Sequence, residues 1–107
     1  DHIHPSVMFK PSKLRQLGLE KEKIEEWIGL KDTIPNLQMM EARRNRVKNK
    51  TPFNKWLNID QGVNKSMYLK QNFISEEVSF DFKDFEHFFN TRKDNLRRAL
   101  QKTLLGD

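Results

Sequence analysis

The opening residues Asp1-His2-Ile3-His4-Pro5 put a carboxylate and two imidazoles within five positions. A carboxylate can hold a hard divalent cation, and a neutral imidazole beside it can take a proton from water. Together they could run a metal-assisted hydrolysis. Asp-His pairs also arise by chance, so the pair needs support from elsewhere in the chain. A second stretch also stands out: Asn36-Leu37-Gln38-Met39-Met40-Glu41, leading to Asn45-Arg46-Val47-Lys48-Asn49-Lys50.

Around Asn45 the cations Arg43, Arg44, Arg46, Lys48 and Lys50 form a basic run. Such runs are commonly solvated faces. If the hydrolysis is of a phosphodiester, the better reading is phosphate contact, which positions DNA without reading its sequence. Arg92, Lys93, Arg97, Arg98 and Lys102 have the weaker claim, because Asp94 and Glu86 can pair with neighbours along a helix. His4, in an extended segment, falls on the same side as His2, where it could touch phosphate or back the ligands. A partly buried structural histidine fits that position equally well. His87 lies off the apolar stripe of its helix and reads as a surface residue. Trp27 and Trp56 read as core anchors rather than base-stacking platforms.

These groups need elements to hold them. Asp1 to Pro5 is β-compatible, and Pro5 ends it by removing a donor. Strict alternation would set Asp1 and His2 on opposite faces, so the strand must break near its end for both to serve one ion. Pro11 to Leu17 suits a short helix capped by Ser12 and stopped by Gly18. Ile24, Trp27 and Ile28 have helical spacing over Glu20 to Ile28, and Gly29 is expected to end that helix. Ile34-Pro35 reads as extended, since the residue before proline avoids the α region. Asn36 to Glu41 then forms a short strand, with a helix beginning near Asn45.

Thr51-Pro52 looks like a cap and a first-turn proline for a helix burying Phe53, Trp56 and Leu57. Gly62 marks a turn, and Ser66 to Ile74 has a short helical pattern. The longest helix follows: Asp81 caps it, its stripe is Phe82, Phe85, Phe89, Leu96, Leu100 and Leu104, and Gly106 lies past its end.

The bulk numbers set the frame. A chain of 107 residues supports one domain, 1–107, and is too short for two. With 36% hydrophobic and 33% charged residues the core must be modest, so the eight phenylalanines and two tryptophans must supply much of the burial. Cysteine is absent, which excludes disulfides and thiolate zinc sites and favours a cytoplasmic setting. No apolar run approaches the ~20 residues of a membrane span, so no membrane partner is expected. A net charge of +5 and a pI near 9.6 favour a polyanionic partner, DNA above all. The chain opens on Asp1-His2 without a methionine, and is expected to be the C-terminal fragment of a longer protein.

The two stretches resemble the HNH, or ββα-metal, nuclease superfamily. In that family a strand ending in Asp-His-Ile-x-Pro is followed by a second strand and a helix. An Asn near the start of the second segment is followed nine residues later by another, and a Lys comes three further on. Asn36, Asn45 and Lys48 match position by position. The chain is similar to the C-terminal nuclease domain of GmrSD-like modification-dependent restriction proteins, which carry a ParB-like domain upstream. Asn36 to Glu41, Asn45, Lys48, Phe53, Trp56-Leu57, Phe82, Phe85, Arg92 and Leu96 follow their order. The HNH domain of the RNA-guided CRISPR nuclease is similar over the metal motif only.

The resemblance implies that His2 is the general base, Asn36 braces the loop holding it, and Asp1 and Asn45 are the metal ligands. Asn45 stands at the third position of the HNH name in place of a histidine. The implied cofactor is Mg²⁺ or Mn²⁺, since one carboxylate and one amide oxygen are hard donors. A zinc held by Asp1, His2 and His4 is the rival arrangement. The expected fold is α+β but mostly helical: a small ββα-metal unit embedded among helices and closed by a long C-terminal helix, with the first strand truncated. The expected function is metal-dependent DNA cleavage in bacterial restriction or antiviral defence, with the missing upstream domain as a partner in the same chain. A binding module that kept the fold without the chemistry is the alternative. A purely helical interaction domain is a third.

Overall fold

The structure, a computed structural model, describes residues 2–38, 51–59 and 65–105. Proline and glycine punctuate its first part. Helix α1 (Pro11–Gln16) starts on Pro11, whose fixed φ suits a first helical position. The cap is Lys10, in extended conformation and without a side-chain bond, so Ser12 lies inside the helix and is not the cap expected of it. Gly18 stops the chain as expected: its φ of +85° is where only glycine is cheap, and its N–H bonds the Arg15 carbonyl at 2.9 Å. Helix α2 (Lys21–Leu30) buries Ile24 and Trp27 and runs through Gly29 instead of ending there. Gly29 faces open space, where it costs helix propensity but breaks no backbone bond.

Helix α3 (Phe53–Ile59) begins just after Pro52, whose carbonyl accepts from Trp56 N–H at 2.9 Å. Phe53, Trp56 and Leu57 are all buried, as their spacing predicts. Helix α4 (Lys65–Gln71) buries Tyr68 and Leu69. The last helix, α5 (Phe85–Leu105), follows a 3-10 turn over Phe82–Asp84. Asp81 caps that turn by accepting from the Lys83 N–H at 2.9 Å.

The core is largely a set of aromatic edges and faces. Phe82 and Phe85 meet the Phe9 ring nearly at right angles, with centroids 4.8 and 4.9 Å apart. Trp27 lies 5.6 Å from Phe82 and 5.3 Å from Phe85. Phe53 and Trp56 bring in α3, and Tyr68 packs on Trp56 at 5.0 Å. Such contacts favour offset or edge geometry because ring edges are positive and faces negative.

Burial on α5 stops after its first two turns. Phe85, Phe88, Phe89 and Arg92 are buried, but Leu100 and Leu104 are 60% and 74% exposed. The expected apolar stripe therefore fails at its C-terminal end, where the helix has run past the core. Arg92 is a second correction. Instead of pairing with acids along the helix surface, it is 5% exposed and sits where the stripe would place a leucine. Its Nε donates to the Asn72 carbonyl at 2.9 Å, and Nη1 to those of Ile34 at 2.9 Å and Leu37 at 2.7 Å.

Among the described residues strand pairing is minimal. His2 and Leu37 form an isolated antiparallel bridge, and Ile3 N–H donates to the Asn36 carbonyl at 2.7 Å. Residues Ile34–Asn36 make a 3-10 turn, not the extended lead-in expected, with Thr33 taking the extended conformation instead. The strand expected over Asn36–Glu41 is thus reduced to Leu37 among the described residues, and Met39, Met40 and Glu41 lie outside them. The domain is mostly helical, and this bridge is where its N-terminus joins the helices. No helix among the described residues is long and apolar enough to cross a membrane.

Candidate functional site

The bridge sets His2 against the end of α2. Lys31 closes that helix through a bond from its N–H to the Trp27 carbonyl, and Thr33 turns back onto the Leu30 carbonyl through both N–H and hydroxyl. This turn holds Asp32 beside the imidazole, with His2 Nε2 2.6 Å from Asp32 Oδ1. The other carboxylate oxygen accepts from Lys31 Nζ at 2.6 Å. The Lys31 hydrogen bond, and then that of His2, holds the Asp32 carboxyl below its ordinary range. The sign follows: the carboxylate, and its hold on His2, persists through the usual Asp range and fades only as pH falls through the lowered value. His2 keeps 26% of its side chain exposed, enough to face a solvent-borne substrate.

Asn36 fixes the segment that carries His2. Its side chain is fully buried and makes three bonds: Oδ1 accepts from His4 N–H at 2.8 Å, while Nδ2 donates to the carbonyls of His4 at 3.1 Å and Lys31 at 2.9 Å. With the Ile3–Asn36 backbone bond, residues 2–4 are tied to the turn that also carries Asp32. An amide is the side chain for this task, since it must donate and accept at once. Asn36→Ala is therefore expected to cost about 2–3 kcal/mol in urea unfolding, because it strands buried groups of His4 and Lys31. Asn36→Asp should not rescue, since an oxygen would replace Nδ2 against two carbonyls. A loss under about 0.5 kcal/mol for Asn36→Ala would count against the brace.

His4 does not share the side of His2. Ile3 and His4 are both fully buried while His2 is half-exposed, so the chain bends straight after the bridge and alternation stops. The His4 ring packs among Phe53, Phe82, Phe85 and Phe88, with centroids 4.6–5.9 Å away. The ring is enclosed by these phenylalanines, more deeply than the partly buried histidine that the sequence suggested. Zinc shared by His2 and His4 finds no support in that packing. His87 is exposed, as expected. Asp1, Asn45 and the cations Arg43, Arg44, Arg46, Lys48 and Lys50 lie outside the described residues. Among the described residues no group of three His, Cys, Asp or Glu could hold a metal ion.

Asp32 is the residue that sequence reasoning missed. It lies 30 positions from His2, in a helix-ending turn with no motif of its own, and the bridge with the Asn36 bonds brings the two together. No protein-family model matches the chain, and no curated protein or solved structure does so either.

Proposed function

We propose that this chain is a divalent-metal-dependent DNA endonuclease domain of the HNH type, serving bacterial restriction or antiviral defence, with His2 as the general base. The observation that carries the reading is the half-exposed His2 imidazole, oriented by the Asp32 carboxylate on a segment braced by Asn36. A carboxylate that accepts from Nε2–H selects the tautomer with Nδ1 as the basic nitrogen, and fixes the ring's orientation. It also stabilises the imidazolium once the proton has moved. His2 would take that proton from the water that attacks phosphorus.

Asp1 and Asn45 would hold the cation, and their hard oxygen donors fit Mg²⁺ or Mn²⁺. Bound there, the ion supplies Lewis-acid neutralisation of phosphate charge. The finer fold expected of such a site, a ββα unit spanning residues 1–5 and 36–50, belongs to this reading. So do DNA as partner and a further domain upstream.

Two outcomes test it. Asp32→Ala should lower single-turnover cleavage of DNA, by up to the ~10²–10⁴-fold that a general base contributes, because the ring loses the acceptor that sets its tautomer. DNA affinity should be unchanged. Cleavage at the parent rate would remove the pair from the mechanism. Neutralising Arg43, Arg44 and Arg46 together should weaken binding to every duplex alike. Each lost phosphate contact should reduce the log–log salt slope by about 0.9. A change confined to one sequence would mean that these residues read bases.

A further inference from the structure

A cleft of about 470 Å³ lies between the turn after α4, the Leu37–Gln38 segment and the middle of α5. Asn72, Phe73, Arg92 and Leu96 line it together with Leu37 and Gln38. Its size falls in the ~300–1,000 Å³ range of small-molecule sites.

Two donors on this wall meet no acceptor among the described residues, and one of them, the Gln38 amide nitrogen, is fully buried. Arg92 spends Nε and Nη1 on the carbonyls of Asn72, Ile34 and Leu37, and no acceptor among the described residues meets Nη2. Those partners are all neutral, so no carboxylate answers its charge there. Gln38 is 6% exposed; its Oε1 accepts from the Tyr68 hydroxyl, while its Nε2 has no hydrogen-bond partner. A buried donor such as the Gln38 amide is costly to leave unmade.

The third wall is held at a backbone cost. Phe73 has φ +59°, the left-handed conformation in which helices normally end on glycine. The turn has the matching bonds, Phe73 N–H to Lys70 O and Ile74 N–H to Leu69 O, and Asn95 Nδ2 donates to the Phe73 carbonyl at 2.9 Å. The Phe73 residue is nevertheless 46% exposed, so packing alone does not account for an aromatic at this position. Strained residues of this kind collect at binding sites.

We propose that this cleft binds a small molecule carrying an oxyanion, carboxylate or phosphate, on a flat apolar body. The oxyanion accepts from Arg92 Nη2 and Gln38 Nε2, and the body lies against Phe73 and Leu96. The site is independent of the nuclease reading and neither needs the other.

Calorimetric titration with inorganic phosphate, benzoate and adenosine monophosphate tests it. Saturable binding of benzoate or the nucleotide is expected, at least about tenfold tighter than phosphate, because the flat body adds contacts. Binding of benzoate alone assigns a carboxylate source, and of the nucleotide alone a phosphate ester. Gln38→Leu removes one donor and should weaken binding about tenfold. Phe73→Gly suits the left-handed backbone, should keep or raise the melting temperature, and should also weaken binding about tenfold. It decides the matter if Gln38→Leu folds poorly. The proposal is overturned if neither aromatic oxyanion saturates, or if both bind Phe73→Gly as tightly as the parent.

Discussion

His2→Ala is expected to end DNA cleavage while leaving DNA affinity nearly unchanged. General-base catalysis typically contributes ~10²–10⁴-fold to rate, and it acts on the attacking water rather than on the bound ground state. Affinity should come instead from cations on the phosphate backbone, and His2 lies apart in sequence from the Arg43–Lys50 run. The substitution is also mild for the fold. His2 is half-exposed, and both its bridge to Leu37 and the Ile3–Asn36 bond are made by backbone that alanine keeps. Single-turnover cleavage beside equilibrium DNA binding is the measurement. Equal loss of both would make His2 a structural or DNA-contacting residue, and unimpaired cutting would remove it from the chemistry.

His2→Ala and Asp32→Ala also test each other. If Asp32 acts only by orienting the ring, removing it from the His2→Ala protein should change nothing further, since residues that work as a unit are non-additive. Additive losses would give Asp32 a separate task. Its free standing is limited in any case, because Lys31 already occupies its second oxygen.

Helices were easier to read from the sequence than the site. Ile24 and Trp27 on α2, the Phe53-Trp56-Leu57 face of α3 and the Phe82-Phe85-Phe89 cluster all follow from 3.6-residue spacing, which depends on nothing distant. Stops were less legible. Gly18 ends a helix because the chain there needs a left-handed φ, whereas Gly29 needs nothing of the kind and is crossed. The type of residue is the same, and only tertiary direction separates them. Phe73 shows the reverse, a left-handed helix end with no glycine to announce it. The stretch 34–38 misled because a proline bias toward extended backbone lost to a 3-10 turn fixed by Asn36. Asn36 itself was visible as a candidate brace through a resemblance, and its bonds to His4 and Lys31 give that role a geometry. Asp32 could not be seen, since its pairing with His2 depends on a contact 30 residues apart.

Arg92 is expected to be the most costly polar side chain to remove. In sequence it belongs to a basic helical surface with Lys93, Arg97 and Arg98; in the structure it is a buried clamp across three carbonyls from two distant segments. Burial pushes its pKa below the ordinary arginine value, opposed by Tyr68, yet a guanidinium stays charged across the working range. Hydrogen bonds from a charged donor contribute about 1.5–3 kcal/mol each, and the carbonyls left behind are desolvated. Some of that gain is offset by the cost of burying the charge, so Arg92→Met should destabilise by about 4 kcal/mol. Lysine should not rescue it, because one ammonium on a flexible stem cannot span carbonyls that a planar fork reaches together. The Ile34 and Leu37 carbonyls belong to the turn that carries Asn36, so the loss should spread to the His2 segment. Urea unfolding of both variants is the first measurement, and hydrogen exchange at the Ile3 and His4 amides the second. Destabilisation under about 1 kcal/mol, or full rescue by Arg92→Lys, would show that the fork geometry contributes little and that α5 is held by its phenylalanines alone.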